Sequence, residues 1–145
     1  MYQLGEDYLI AGEALKVLLN DVPGIRAVYA QNELGDVDER AQVTPALHVL
    51  YQGDTLPETA QGGNSQQVKQ IWLVVIACRL SIHETPGILI AKVLRRLSGK
   101  TYSIDGQLIG PFVRVVTPVK PKYTVSHAYF PLAFSVQLKF NPNNP

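Results

Sequence analysis

Any chemistry in this chain has to come from a short list of side chains. The histidines are His48, His83 and His127, and the one cysteine is Cys78. A zinc site needs several nitrogen or sulfur ligands at recognisable spacing. No HxxxH is present, and Cys78 has no second cysteine to join it. His48 falls inside an apolar run and reads as a partly buried packing residue. His83, with Glu84 ahead of a helix, reads as structural or surface. His127, near Tyr129, reads as a surface loop residue. A Cys–His nucleophile pair needs an exposed, activated thiol. Cys78 instead ends the most apolar stretch of the chain, QIWLVVIAC, and reads as a buried small hydrophobe.

Charged groups offer little more. Glu33, Asp36, Asp38 and Glu39 form an acidic cluster whose oxygens suit magnesium or calcium. The cluster lacks the glycine that an EF-hand loop requires. It reads as a solvated loop, with a weak cation site or a contact for a neighbour's basic surface as the alternatives. The GGN at 62–64 has no following Lys-Ser/Thr and opens no helix, so it is not a phosphate loop. Lys100, Arg114, Lys120 and Lys122 come with Tyr102 and Tyr123, a dilute form of the basic-aromatic pattern that binds single strands. No cofactor, metal or specific nucleic acid is expected. An enzyme would need a cleft with converging polar groups, and the sequence places none, so the chain reads as non-enzymatic.

The elements that would have to position a site say more. The chain has 145 residues, enough for one domain with a real core. Residues 6–20 have helical spacing in Tyr8, Ala11, Ala14, Leu15 and Leu18. Glu6 and Asp7 are expected in the first turn, and Asn20, Pro23 and Gly24 end the helix. IRAVYA, 25–30, alternates as a short strand, and 31–43 is polar and irregular. PALHVLYQ, 45–52, is a second strand. VKQIWLVVIACRL, 68–80, is apolar on both faces and reads as a central strand covered on both sides. Its polar start is expected to project in a long hairpin with the preceding strand.

ETPGILIAKVLRRLSGK, 84–100, is a punctuated helix. Thr85 is the expected N-cap, Pro86 fits N1, and Arg95 and Arg96 favour the last turn. Gly99 is expected in the left-handed cap. Asp105-Gly106 signals a hairpin turn. Residues 111–120 and 128–140 read as two further strands, joined by an extended linker with Pro118, Pro121 and Tyr123. The expected fold is α+β: a mixed, mostly antiparallel sheet of about four to five strands, two helices packed on it, and a long hairpin excursion. One domain is expected over 1–140, with a flexible tail at 141–145.

One segment resists this scheme. QGDTLPETAQGGNSQQ, 52–67, is polar, aperiodic and longer than compact domains usually tolerate without a purpose. Charge is also unevenly spread. Residues 1–60 hold ten acids and three bases, −7, while 61–145 hold ten bases and two acids, +8. Either folding intermixes the halves, or the molecule has two poles suited to head-to-tail association. The net charge of +1 gives no bulk attraction to nucleic acid or membrane. A single cysteine fits a reducing compartment. MYQLGEDYLI lacks the basic start and apolar core of a signal peptide, and the apolar runs fall short of a membrane span.

GIRAVYAQNEL at 24–34, VTPALHVLYQG at 43–53, QIWLVVIACR at 70–79 and YFPLAFSVQL at 129–138, in that order, resemble the tail terminator proteins of long-tailed phages, in particular those of Mu-like phages and prophages. The resemblance runs over roughly 6–138 and carries no catalytic signature. It implies a small α/β structural subunit of the virion tail, assembled in the bacterial host cytoplasm. Such subunits form a ring, commonly a homohexamer, on the finished tail tube. The ring stops polymerisation and presents the surface that joins the head. The implied partners are further copies of the chain, the tail tube protein and a head-completion or connector protein.

Under that reading the excursion is a mobile hairpin tip that orders against a neighbour or the tube. The expected interface residues are Asp36, Asp38 and Glu39; Leu56, Pro57, Gly62 and Gly63; and the bases Lys69, Arg95, Arg96, Arg114, Lys120 and Lys122. A different head–tail joining or tube-related protein is the nearest alternative. A small cytosolic binding module is the next.

Overall fold

A computed structural model describes residues 1–30, 42–57, 66–81 and 84–143. The spine is three long antiparallel strands rich in leucine, β-branched and aromatic residues. They are β3 (Ala46–Thr55), β4 (Gln66–Arg79) and β9 (His127–Phe140). β4 lies in the middle, paired from Ala77↔Ala46 to Lys69↔Thr55 on one side and from Gln66↔Phe140 to Arg79↔His127 on the other. Short strands complete the sheet. β1 (Tyr2–Gln3) runs parallel to β9, and β2 (Ala27–Tyr29) runs parallel to β3. The path is β1-β9-β4-β3-β2, and β7 (Val113–Val115) and β8 (Lys122–Tyr123) also pair with β9, giving seven strands. This is the expected α+β fold, with two short strands beyond the expected number.

The second edge of β9 is shared in sections. β8 takes Ala128 and Tyr129, β7 takes Ala133 to Ser135, and β1 takes Leu138 and Lys139. Pro131 falls between these sections, where a missing N–H is tolerated. The segment 111–120 is strand only over Val113–Val115, because Pro118 and Pro121 interrupt it.

Both helices, α1 (Ile10–Leu19) and α2 (Pro86–Leu97), pack on one face. Ala11, Ala14, Leu15 and Leu19 of α1 and Leu89, Val93 and Leu97 of α2 meet Leu47, Val49, Trp72, Val74, Ile76, Phe134, Val136 and Leu138 in one core. Each large apolar side chain buried here contributes about 1.5–3 kcal/mol. Gly12 is required by that contact, since a Cβ there would lie 2.8 Å from the Trp72 ring.

The small sheet of β5 (Tyr102–Ile104) and β6 (Gln107–Ile109) closes one side of the core with Ile109. Its two-residue turn is Asp105-Gly106, with φ of 49° and 81°, the left-handed pair that this hairpin demands.

Several expectations shift. α1 begins at Ile10 rather than at residue 6, because the Asp7 carboxylate accepts from Leu9 N at 2.9 Å and holds a separate turn ahead of the helix. Thr85 is the N-cap by position, but its side chain makes no capping hydrogen bond. Gly99 takes the expected positive φ, 73°. β4 is central within the sheet but is not sandwiched. Among the described residues no helix lies on its second face, where Leu50, Ile71, Val75 and Pro131 stay half-exposed.

Candidate assembly surfaces

The expected hairpin pairing forms, but the polar start of β4 does not project: Gln66–Gln70 also pair with Phe140–Val136 of β9, and Val68 and Gln70 are buried. β3 and β4 pair out to Thr55 and Lys69, with a bulge between Tyr51 and Gly53 that sharpens the twist of the arm. The arm therefore absorbs part of the 52–67 excursion. Residues 58–65, including Gly62 and Gly63, lie outside the described residues. So do Asp36, Asp38 and Glu39, and also His83.

At the end of the arm Leu56, Pro57 and Lys69 come together, with Gln67, Val68 and Gln137, around a groove of about 250 Å³. Leu56 is well exposed at 59%. Lys69 and Gln137 also line the next concavity, about 490 Å³, which runs past Ser135 to Val113, Val115 and Pro111. One trough thus follows the helix-free face of the sheet from the arm end to β7. Its apolar walls, one lysine and two amides can grip a protein surface. They offer no nucleophile with a base beside it.

The arm is tied to the body through buried polar groups. Gln70, fully buried, donates from Nε2 to Tyr8 O at 2.7 Å and accepts from the Trp72 indole at 3.0 Å. The Tyr8 hydroxyl donates to Asp54 Oδ2. Burial, then the hydrogen bond and charge of Asp54, raise the pKa of Tyr8; burial and Asp54 push Tyr51 up to about 12. Both phenols are therefore neutral structural groups.

The other end of the open face carries a second polar network. His48 donates from Nε2 to Gln42 Oε1 at 3.1 Å, and Gln42 Nε2 donates to the Tyr129 hydroxyl at 3.1 Å. The His48 ring stacks on Tyr29 at 5.1 Å. Desolvation lowers the pKa of His48, so the ring is neutral, in keeping with its expected packing role. His127 corrects the sequence reading. It is the first residue of β9, 2% exposed, with Nδ1 2.7 Å from Ser126 Oγ. Strand pairing with Arg79 draws it in. Cys78 is buried as expected, its thiol pushed up to about 11 by desolvation and then by Glu84. Among the described residues no His, Cys, Asp or Glu groups cluster as metal ligands, and no helix is long and apolar enough to cross a membrane.

The bases fall into separate groups. Arg95 and Arg96 join Lys92 and Lys100 around Val22 and Pro23, bordering about 310 Å³. Arg96 is already committed to Asp21 and to Leu18 O. Arg114, Lys120 and Lys122 lie on the segment around β7 and β8, far along the chain from α2. What the sequence reading passed over is the company they keep. Val116 is 93% exposed and Val125 is fully exposed. The signal was present in VVTPVKPKYTV, where valines alternate with prolines and bases and no apolar period closes on a core.

Comparison with known proteins supplies the context for such surfaces. A family model described as phage tail terminator protein matches residues 6–144. The chain belongs to the phage tail terminator family. It is accordingly a structural protein of the phage tail, with its place in the virion tail. A solved structure 12% identical in sequence aligns with a TM-score of 0.50 over 92% of this chain and 96% of that one, a likeness of fold alone. No curated protein matches the chain. For a tail terminator family member, open apolar surface points toward contacts with other tail components.

Proposed function

We propose that the chain closes into a ring, a homohexamer, on the end of the finished tail tube. There it halts polymerisation and presents the surface that joins the head. Its partners are then further copies of itself, the tube protein and a head-completion or connector protein, and assembly takes place in the bacterial host cytoplasm. Kinship to the Mu-like phages and prophages belongs to the same proposal.

The observation that supports this best is the sheet face without a described helix on a chain of this family. Leu50, Ile71, Val75 and Pro131 are apolar and half-exposed there, and the trough beside them reaches the arm end at Leu56 and Pro57. Large exposed apolar patches mark interaction sites. The arm and its 52–67 excursion lie against a neighbour or the tube, with Leu56, Pro57 and Lys69 as anchors. Asp36, Asp38 and Glu39 meet basic groups of an adjoining copy, and Gly62 and Gly63 let the tip conform.

Deletion of 55–65 tests this. The variant should fold and yet fail to cap tubes, giving tails of uncontrolled length. Tails of normal length from the deletion variant would contradict the role given to the arm. Light scattering on the intact chain across concentration should reveal a discrete closed oligomer of about six subunits.

A further inference from the structure

Residues 113–125 form a strap. β7 and β8 pin its two ends to β9, through Val113↔Ser135 to Val115↔Ala133 and Lys122↔Tyr129 to Tyr123↔Ala128. Between and beside these pins the chain shows Val113, Val116, Val119, Tyr123 and Val125 to solvent. Single exposed hydrophobics are ordinary. Five within thirteen residues, on a segment tied down by strand pairing, are not. The charges on the strap are all positive: Arg114, Lys120 and Lys122. Its occupant must therefore offer apolar surface bordered by acids.

The molecule has such a surface elsewhere. Between the start of α1 and the helix-bearing face of β3 and β4 lies a notch of about 280 Å³. Leu9, Val49 and Trp72 give it an apolar lining, and Asp7 and Glu13 border it with exposed carboxylates. A water molecule's share of liquid is about 30 Å³, so the notch has room for an aliphatic side chain. The two surfaces sit at different places on one copy. The strap lies along the edge of β9 that faces away from β4, while the notch lies at the start of α1 over the helix-bearing face of β3 and β4.

We infer that the strap of one copy docks on the acid-bordered notch of the next, with Val116 leading and Arg114 and Lys120 meeting Asp7 and Glu13. The two patches differ, so the contact is heterologous and repeats from copy to copy. This inference rests on the ring reading and names the surfaces that would make the ring.

The test uses the full chain in light scattering with two charge reversals, Glu13→Lys on the notch and Arg114→Glu with Lys120→Glu on the strap. Each variant alone should need at least tenfold more protein to assemble. An equimolar mixture should recover assembly, since each native strap then faces a native notch and each reversed strap faces a notch that has exchanged one acid for a base. Val116→Asp, at a side chain with no packing to lose, should also weaken assembly while leaving the thermal midpoint unchanged. Recovery in the mixture also shows that both variants are folded. Charge variants that assemble like the parent, or a mixture no better than its components, would overturn the inference and leave the ring standing. A parent chain that stays monomeric alone and on tube ends would overturn the ring reading itself, and this inference with it.

Discussion

The two faces of the central sheet are built from similar residues and end in opposite circumstances. On one, Trp72, Val74, Ile76, Phe134 and Val136 are at most 2% exposed beneath the helices. On the other, Leu73 and Ala133 are buried with no helix among the described residues over them, while Leu50, Ile71 and Val75 remain half-open. Alternation along a strand distributes side chains between faces but does not say what will cover them. The first face stabilises the monomer. The second, on the reading proposed above, is the face that meets other tail components.

Substitutions can separate the two faces. The largest effect is expected at Trp72→Ala, which opens a cavity and removes the indole donor that satisfies buried Gln70. A loss of about 3–5 kcal/mol is expected by denaturant unfolding. Gly12→Ala comes next, because its Cβ would press into the Trp72 ring at 2.8 Å. Overpacking of this kind costs about 1–3 kcal/mol, and the same unfolding assay reads it. Val75→Thr on the open face should change unfolding by less than about 1 kcal/mol while weakening association measured by light scattering. Equal destabilisation by Val75→Thr and Trp72→Ala would erase the distinction between the faces.

The smallest effect concerns pH. His48 is held neutral by burial, so its folded pKa lies below the ordinary 6.5. The unfolded chain then binds the extra proton first as pH falls. Stability attributable to this ring is complete above 6.5 and declines as pH drops from there toward the folded pKa. In the variant His48→Gln the thermal midpoint should fall less between pH 7 and pH 5 than in the parent. An unchanged pH profile in that variant would show that the ring does not titrate on unfolding.

Much of the fold was legible in the sequence because its cues were local. The Asp105-Gly106 turn, α2 with Pro86 at N1, and the apolar alternation of β4 all declared themselves within a few residues. The two-residue strands β1 and β8 did not, since no period exists over two positions. They are strands because β9 offers an unpaired edge. His127 looked like a loop residue for the same reason; its burial comes from pairing across the sheet with Arg79. The surfaces were legible in part. Leu56, Pro57 and Lys69 were chosen separately and do meet in one groove. Arg96, also expected at the interface, is paired with Asp21. The notch was invisible because Leu9, Val49 and Trp72 come from three elements and converge only in the folded chain.

The most direct test of the central claim is electron microscopy of tail tubes polymerised with and without the chain. The account predicts that tubes grown with the chain stop at a narrow range of lengths and carry a ring of added density at one end. Tubes of unrestricted length with bare ends, at saturating protein, would contradict it.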